Sequence, residues 1–385
     1  MKFTNHLFIT LLLSGTLLSC SHKESSKRKS PSNMELSTKE IVFPPSEALN
    51  LDAYYLSASC RTDTTTWLVG YNYRMHALDI INLKTKEISQ TMLEKEGPSS
   101  LARPISIYLH NPDSIWICDQ TYQAALINRE GLIVQKWALA ESLDSSEKVI
   151  INTNYAMNTS KLYFNKSRGS LFYTIQKTEG GESSFYVREY SLKHSTETKR
   201  YPLASPVTKK EADTNFGYMD GINVTFLDDR ILYNYPIESS FYVYNLLTGE
   251  NKLIEAASAY TQNNVKPLSN TQDYSEWEKH GLENPHFYEI MYLPQYDIYA
   301  RLHLKETDLD KTKSMDDLSN NRELYLMCWD KDFKPLCEIK LPEHRYNYYT
   351  GWCPTYDGLL ICVNNEASAE ELSVDIISPK NFIQK

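Results

Sequence analysis

The chain has 385 residues, of which 12% are aromatic, 28 are tyrosines and only 13 are glycines, and its formal net charge is −9. The negative charge excludes the basic surface that nucleic-acid binding requires, and the shortage of glycine argues against glycine-rich phosphate loops. The length suffices for two ordinary domains or for one β-propeller. Tyrosine fits pleated, half-buried surfaces, so the composition favours strands.

The first twenty residues resemble the leader of a bacterial lipoprotein. Lys2 supplies a positive start, and the apolar run at residues 7–18 (LFITLLLSGTLL) is too short to span a bilayer. The run ends in Leu-Leu-Ser-Cys, which resembles the lipobox, a signal that is cut before its cysteine, which is then acylated. We therefore predict a signal peptide at residues 1–19 and lipidation at Cys20. An ordinary signal peptide with an unrelated cysteine is the alternative.

Residues 20–34 are predicted to form a flexible tether. The segment is polar and rich in serine (SHKESSKRKSPSN after the cysteine), so it cannot bury a core. Its basic cluster, residues 27–29, either lies near anionic headgroups or is simply solvated. Cell-surface lipoproteins of Bacteroidetes tend to carry acidic residues just after the cysteine, and here only Glu24 does so. We therefore predict an outer-membrane lipoprotein that faces the periplasm and meets the membrane through its lipid anchor.

The remaining residues, 35–385, read as one domain of short strands separated by turns. Residues 105–139 are the clearest stretch, with four strand candidates in about 35 residues, which is the size of one propeller blade. In chain order the predicted strands are 35–44; 52–59, 67–71, 76–82 and 87–93; 105–110, 114–118, 124–127 and 132–139; 161–164, 170–176, 185–192 and 198–202; 220–227, 230–235, 240–245 and 251–255; 286–293, 297–304, 323–330 and 335–341; and 348–353, 358–364 and 372–378.

Two segments interrupt these strands. Residues 257–284 are irregular, with a short helix predicted at 274–280 behind the capping residue Asp273, and residues 305–322 form a polar loop. The last set of strands is one short, and the N-terminal strand can complete it. These patterns predict an all-β fold, a six-bladed β-propeller of four-stranded antiparallel blades whose ring is closed by the N-terminal strand. A pair of β-sandwich domains is the alternative.

Three phrases, at residues 93–117, 216–236 and 284–304, resemble a family of Bacteroidetes lipoproteins known as domain of unknown function 4221. The resemblance implies a six-bladed, TolB-like propeller over most of the mature chain. One loop departs from the family pattern, because Ser99-Ser100-Leu101-Ala102 stands after Gly97-Pro98 where Asn-Gly-Val-Gly is usual. The resemblance brings no catalytic or binding residues with it.

The chain has seven cysteines, and none forms a Cys-x-x-Cys pair, so a thiol-based metal site is not predicted. If Asp357 and Gly358 form a two-residue hairpin turn, Cys353 and Cys362 lie directly opposite each other and within reach of a disulfide. Pro354 then falls where a ladder N–H is expected. Free buried thiols are the alternative.

No cofactor or metal is predicted. The acidic loop Asp308-x-Asp310-x-Thr312 lacks the glycine and the final glutamate of a calcium loop. His286 and Glu289 are three apart in a predicted strand, so their side chains should point to opposite faces. No Gly-x-Ser-x-Gly or His-Glu-x-x-His motif is present.

Two short motifs, around Thr64 and Ser114, resemble the Asp-Ser/Thr pattern of O-glycosylation in Bacteroidetes. Both stand at predicted turns or strand starts, where plain turn chemistry also accounts for them. They are therefore candidate glycosylation sites, with an unmodified turn as the alternative.

The mouth of a propeller is the usual place for a ligand. Residues that combine aromatic planes with charge are candidate ligand contacts there, with packing in the core as the alternative: Trp277, His286, Tyr288, Arg301 and Trp352, with Asp220 and Tyr299 nearby. The predicted function is a lipid-anchored envelope module that binds a protein or a glycan. An envelope glycan lyase or hydrolase acting in the channel is the alternative.

Overall fold

The computed structural model describes residues 34–43, 54–154, 158–180, 182–203, 215–268, 273–310, 312–346, 351–364 and 371–380. The predicted signal peptide, Cys20 and the tether up to residue 33 lie outside these ranges. Among the described residues, no helix has the length and apolar character needed to cross a membrane.

Six antiparallel sheets, termed blades 1 to 6, follow one another along the chain behind a first strand, β1 (Leu36–Phe43). Blades 1 and 2 have four strands each: β2 (Ser57–Thr62), β3 (Thr65–Asn72), β4 (Ala77–Asn82) and β5 (Ile88–Met92), then β6 (Pro104–Asn111), β7 (Ser114–Asp119), β8 (Gln123–Ile127) and β9 (Ile133–Ala138). Blades 3 and 4 interleave: blade 3 has β10 (Glu147–Ile150), β13 (Tyr163–Asn165), β14 (Ser170–Glu179), β15 (Glu182–Ser191) and β16 (Thr196–Leu203), and blade 4 has β11 (Asn152–Asn154), β12 (Asn158–Ser160), β17 (Asn223–Phe226), β18 (Arg230–Asn234), β19 (Phe241–Asn245) and β20 (Asn251–Ile254).

Blades 5 and 6 complete the ring. Blade 5 has β21 (His286–Phe287), β22 (Met291–Leu293), β23 (Ile298–Leu304), β24 (Leu324–Trp329) and β25 (Pro335–Lys340), and blade 6 has β26 (Trp352–Thr355), β27 (Gly358–Cys362), β28 (Leu372–Pro379) and β1. β1 pairs with β28 along its whole length, from Leu36 opposite Pro379 to Phe43 opposite Leu372. The six-bladed propeller and its closure by the N-terminal strand are therefore confirmed, and the alternative of two β-sandwiches is wrong.

The core consists of six hydrophobic clusters, one between each pair of neighbouring blades. Between blades 1 and 2, for example, Val69 packs with Ile107 and Ile117. Because every blade is covered on both faces, β4 and β24 are buried at each position instead of alternating. Each fully buried Leu or Ile in such a cluster contributes about 1.5–3 kcal/mol relative to an exposed one.

The structure adds elements that the sequence pattern did not indicate. The strands β10, β11 and β12 were not predicted, and β12 runs parallel to β17 with Ser160 opposite Val224. The loop predicted at residues 305–322 contains a helix, α2 (Met315–Asn320), which starts with a capping box between Ser314 and Asp317. The predicted helix, α1, spans Tyr274–Glu283, and the Asp273 side chain accepts the Ser275 N–H as expected.

Two inserted segments, residues 255–285 and 305–323, form what we term the end-face insertion. Successive strands of a blade run in opposite directions. The segment that leads into the first, innermost strand of a blade therefore lies at the same end of the ring as the loop that joins its second and third strands. Residues 255–285 lead into the first strand of blade 5, and residues 305–323 join its second and third strands, so both lie at this end. Consistent with this, α1 contacts α2. Arg322 joins them: its guanidinium donates to the carbonyl oxygens of Lys305 at 3.0 Å, Gly281 at 2.9 Å and Asn284 at 2.7 Å.

The predicted register of the β26–β27 hairpin is wrong. The turn is formed by Tyr356 and Asp357, so Thr355 faces Gly358 and Cys353 faces Leu360. Cys353 and Cys362 are therefore not opposite each other, and both are buried free thiols. Gly358 serves a purpose other than the turn: its φ is +145°, and a Cβ there would lie 2.5 Å from the Ile377 carbonyl oxygen of β28.

Candidate functional site

A cavity of about 170 Å³, termed the axial cavity, lies where the innermost strands of all six blades meet. Its polar lining residues come from blades 1, 4, 5 and 6 and from the link between β12 and β13, and are Ser57, Ser59, Thr159, Lys161, Thr225, Glu289 and Cys353. Its apolar and aromatic lining includes Ile107, Tyr108, Tyr163, Phe226 and Met291. The cavity therefore combines a few convergent polar groups with an apolar wall, which is the usual composition of a small-molecule site.

Glu289 reaches the cavity because the inner strand of blade 5 is bulged. His286 and Phe287 pair with β23 in one register, and Met291 to Leu293 pair with it one residue out of that register. The extra residue between β21 and β22 is a β-bulge, which redirects side chains and is over-represented beside functional sites. Sequence analysis placed the His286 and Glu289 side chains on opposite faces by assuming a regular strand, and this bulge interrupts that regular alternation.

The Glu289 carboxyl group is buried, with only 4% of the residue exposed. Its Oε1 accepts a hydrogen bond from the Trp352 indole N–H at 3.1 Å, whereas its Oε2 has no hydrogen-bond partner among the described residues. Burial raises the pKa of Glu289, while Lys161 and the Trp352 hydrogen bond act in the lowering direction. A buried polar atom without a partner costs about 1–3 kcal/mol, so its retention in the cavity calls for a functional explanation.

Two further polar groups of the axial cavity also lack partners. Lys161 is half-buried and makes no hydrogen bond or ion pair within the part of the chain that the structure describes. The Thr159 hydroxyl is buried and has no partner among the same residues, although its backbone N–H donates to the Asn223 side chain at 2.7 Å. The lining of the cavity thus includes a carboxyl, an ammonium and a hydroxyl group that no hydrogen bond joins to one another among the described residues.

Ser59 and Cys353, which also line the cavity, offer less to a ligand. The Ser59 hydroxyl donates to the Pro354 carbonyl oxygen at 2.6 Å and so ties blade 1 to blade 6. Burial raises the pKa of the Cys353 thiol, which disfavours the reactive thiolate. A nucleophilic role for Cys353 is therefore disfavoured.

A second depression, termed the end-face groove, has a volume of about 500 Å³ and lies within the end-face insertion. Its charged lining residues are Lys266, Glu276, Lys279, Glu283, Glu306 and Asp308. The floor is fixed by hydrogen bonds, because the Asn284 side chain accepts the Lys266 N–H at 3.0 Å and donates to the His280 carbonyl oxygen at 2.9 Å. Together with Arg322, these bonds make the groove a preformed surface.

Three of the predicted ligand residues lie together, but behind the axial cavity instead of in it. The rings of His286 and Tyr288 are 4.5 Å apart, and those of Tyr288 and Trp352 are 4.7 Å apart. Burial, with the nearby positive Arg322, lowers the pKa of His286 to about 3, so this imidazole is neutral. Trp352 alone approaches the cavity, through its hydrogen bond to Glu289.

The other two predicted ligand residues lie elsewhere and pack into the fold. Trp277 belongs to α1, and its ring meets the Tyr218 ring edge-on at 5.4 Å. Arg301 is fully buried and donates to the Ser239 carbonyl oxygen at 2.7 Å and the Ala256 carbonyl oxygen at 3.4 Å. Both residues therefore make the packing contacts that sequence analysis gave as the alternative to ligand binding.

The remaining candidate positions are at the surface. Thr64 is exposed in the turn between β2 and β3, and Ser114 is half-buried at the start of β7. Glycosylation at either stays a prediction. In the acidic loop, the Asp310 side chain accepts the N–H and the hydroxyl of Thr312, at 2.9 and 2.6 Å. Among the described residues, no group of three or more His, Cys, Asp or Glu side chains is arranged to hold a metal ion.

The sequence of residues 30–340 matches a family model described as Domain of unknown function (DUF4221). The match covers most of the chain. The chain belongs to the DUF4221 family. This membership confirms the resemblance that three stretches of the sequence indicated. A comparison of this DUF4221 chain with curated proteins found no match.

Solved structures similar to this DUF4221 protein support the fold. A DUF4221 family member from Bacteroides vulgatus has a TM-score of 0.73 at 18% identity, covering 92% of this chain and 100% of its own. A Bacteroides fragilis protein named as exported has a TM-score of 0.56 at 10% identity, covering 90% of this chain and 96% of its own. BamB from Moraxella catarrhalis reaches only 0.37 at 8% identity, covering 88% of this chain and 98% of its own, a similarity too weak to bear on fold or function.

Sequence reasoning missed the polar residues of the axial cavity. Glu289 is the single acid in the apolar stretch HFYEIMYL at residues 286–293, and this was the available signal. Lys161 and Thr159 carry no comparable signal, because polar residues beside a short strand are ordinary. Only the meeting of six strands at one axis brings these three DUF4221 residues together.

Proposed function

We propose that this DUF4221 protein is a lipid-anchored protein of the cell envelope that binds a segment of a protein partner in its end-face groove. The groove carries the proposal: its volume of about 500 Å³ falls within the range of ligand sites, about 300–1,000 Å³. It is built from two segments that closing the ring does not require, and Arg322 holds them together. Envelope location is supported by the lipoprotein-like leader and by the exported relative from Bacteroides fragilis.

The charge and composition of the groove favour a basic peptide segment over a glycan. Its described lining has four carboxylates, on Glu276, Glu283, Glu306 and Asp308, against the two ammonium groups of Lys266 and Lys279. No tryptophan, tyrosine or phenylalanine, the side chains on which sugar rings usually stack, is among those lining residues. Complementary charge in such a groove would steer a cationic partner and fix its orientation.

The chemistry of the axial cavity favours binding over glycan cleavage. Glycoside hydrolysis generally needs two carboxyl groups that flank the scissile bond, and Glu289 is the only acid among the described lining residues. A tyrosine base would require a lowered pKa, whereas burial raises the pKa of Tyr108 to about 12 and raises that of Tyr163 still further. The envelope-enzyme alternative thus receives no support from this lining.

Reversing charge in the groove is expected to abolish binding of a basic peptide. We expect a fluorescein-labelled peptide of alternating lysine and serine to bind the purified protein, and its affinity to fall at least tenfold in the double variant Glu283→Lys/Asp308→Lys. Both side chains are exposed, so the substitutions change charge with little effect on folding. Fluorescence anisotropy, repeated at rising salt, measures the effect, and binding should weaken as salt screens the charges.

A matched double variant, Glu130→Lys/Glu250→Lys, provides the control. It adds the same charge in two exposed turns, each between the third and fourth strands of its blade and therefore at the other end of the ring. It should retain the binding of the parent protein. Equal binding of a glutamate-serine peptide, or tight binding of uncharged oligosaccharides, would contradict the proposed partner class.

Replacing Cys20 is expected to release the protein from the membrane. In the native host, the parent protein should incorporate labelled palmitate and sediment with membranes, whereas Cys20→Ser should do neither. Multiple acyl chains, at about 0.8 kcal/mol per buried CH₂, make a stable anchor, and the chains that the Cys20 sulfur would carry cannot be attached to serine in the same way. A Cys60→Ser variant serves as the control and should stay membrane-bound; a soluble, unlabelled parent protein would contradict the proposed anchor.

A further inference from the structure

The axial cavity contains two opposite charges that are not paired with each other. Glu289 and Lys161 both line it, yet no ion pair joins them within the described residues. They nevertheless interact across the space, because Lys161 acts to lower the pKa of the Glu289 carboxyl. A carboxyl group and an ammonium group thus stand apart around one small cavity.

A ligand that is complementary to these two charges carries an ammonium group and a carboxylate group a few bonds apart. We propose that the axial cavity binds a small zwitterion of the α-amino-acid class, with the ligand ammonium on Glu289 and the ligand carboxylate on Lys161. The Thr159 hydroxyl, which lacks a partner among the described residues, is placed to bond the same ligand. This inference is independent of the end-face groove.

The size and the apolar wall of the cavity restrict the ligand further. A volume of about 170 Å³ corresponds to roughly five or six water molecules at about 30 Å³ each. A small amino acid fits this space. Ile107, Phe226 and Met291 offer an apolar surface to a short aliphatic side chain.

The protonation of Glu289 couples ligand affinity to pH. Burial raises the pKa of the free carboxyl group, and only the ionised form pairs with an ammonium group. Affinity should therefore fall as the pH is lowered through this raised pKa. Binding at a pH near it should release protons, since the ligand stabilises the ionised carboxylate.

The first experiment compares alanine with derivatives that each lack one charge. Millimolar alanine should raise the thermal unfolding midpoint of the full mature chain, whereas N-acetylalanine, without the ammonium, and alanine amide, without the carboxylate, should not. Calorimetric titration in two buffers of different ionisation enthalpy should show proton release. No shift with alanine, glycine or valine, or equal shifts with N-acetylalanine, would overturn the proposal.

The second experiment separates ligand binding from a structural role. Glu289→Gln keeps an acceptor for the Trp352 indole, and Lys161→Met keeps the length of the side chain, so each should fold while losing at least tenfold in alanine affinity. Lys166→Met, in an exposed turn of blade 3, is the matched control and should bind normally. Unchanged affinity in both cavity variants would refute the site.

A separate observation concerns a second pair of cysteines. Cys328 on β24 and Cys337 on β25 are direct partners in the ladder, and both are buried. The Leu341 N–H donates to the Leu324 carbonyl oxygen, so Leu324 and Leu341 form a hydrogen-bonded pair of the ladder. Hydrogen-bonded and non-hydrogen-bonded pairs alternate along the ladder, so Cys328 and Cys337, four positions away, also form a hydrogen-bonded pair. Such pairs have Cα atoms about 5.5 Å apart, which is a common spacing in disulfides.

The two thiols are free in the structure and form a hydrogen bond in which Cys328 donates to Cys337, which raises the pKa of Cys328 and lowers that of Cys337. We further propose that Cys328 and Cys337 form a cross-strand disulfide when an oxidised thiol compound supplies the acceptor. The two thiols lose two protons and two electrons as the S–S bond forms, and the bond of the acceptor disulfide is reduced to two thiols. β25 is the outermost strand of blade 5, which is the side from which an oxidant can approach.

Oxidised glutathione is the probe for this linkage. The reduced mature chain carrying Cys20→Ser should lose two of its six thiols, and mass spectrometry without reductant should find the peptides of Cys328 and Cys337 joined. Cys353→Ser/Cys362→Ser should leave the linkage unchanged, and Cys328→Ser/Cys337→Ser should abolish it. Alkylation of both Cys328 and Cys337 after treatment, or linkage of another pair, would overturn the assignment.

Discussion

A chain that begins at residue 44, and so lacks β1, is expected to lose its cooperative fold and to aggregate. β1 supplies an eight-residue ladder to β28, and its Ile41 and Phe43 are buried between blades 6 and 1. Burial of those two side chains contributes about 1.5–3 kcal/mol each, and each lost ladder hydrogen bond removes about 0.5–1.5 kcal/mol more. The sum approaches the whole stability of an ordinary domain, about 5–15 kcal/mol. Thermal unfolding followed by circular dichroism, with size-exclusion chromatography, measures the loss.

A chain that begins at residue 34 is the matched control, because it removes residues 1–33 but keeps β1. It should unfold at the same temperature as the mature protein. A peptide of residues 34–43, added to the shorter chain, should restore part of the fold by pairing with β28, since an open sheet edge accepts a strand in trans. A shorter chain as stable as the control would contradict the role assigned to the closing strand.

Replacing Arg301 by alanine is expected to lower the free energy of unfolding by about 3–5 kcal/mol, because a large buried side chain is lost and two carbonyl oxygens lose their donor. Its guanidinium, on blade 5, bonds the carbonyl oxygens of Ser239, on the β18–β19 loop of blade 4, and Ala256, at the start of the end-face insertion. It also lies 4.9 Å from the centre of the Phe287 ring and 5.4 Å from that of Trp329. Denaturant unfolding monitored by tryptophan fluorescence measures the change.

Arg129→Ala is the control for Arg301, because Arg129 forms an exposed ion pair with Asp113 in a turn of blade 2. Such surface pairs contribute about 0–1 kcal/mol, so this variant should be nearly neutral. Arg301→Lys should fall between the two, since an ammonium group keeps the charge but cannot match both carbonyls with a planar fork. A loss of less than about 1 kcal/mol in Arg301→Ala would show that the guanidinium does not join the blades.

The propeller could be predicted from sequence because its signals are local. Strands apolar on both faces, such as residues 115–118 and 124–127, separated by turn residues, indicate sheets that are covered on both sides. The closing strand could be predicted as well, since the last set lacked a strand and residues 35–44 had none to pair with. Asp273 marked the start of α1 correctly because an N-cap is also a local interaction.

The details that place side chains depend on contacts between distant residues and could not be read in this way. The one-residue bulge that directs Glu289 into the axial cavity is set by pairing of β21 and β22 with β23. Gly358 was interpreted as a turn residue, whereas the close approach of β28 is what requires it, and the register of Cys353 shifted accordingly. The short, polar strands β11 and β12 form although a composition such as theirs is typical of a loop.

The pairing of β1 with β28 also fixes the order in which the protein can mature. The side chains of Ser37 and Ser378 are hydrogen-bonded across a separation of 341 positions. The strand β1 is synthesised first, but it can pair only after β28 has been synthesised. Contacts so remote in sequence form slowly. Until then β1 is unpaired and its Ile41 and Phe43 are uncovered, so the nascent chain is prone to aggregation.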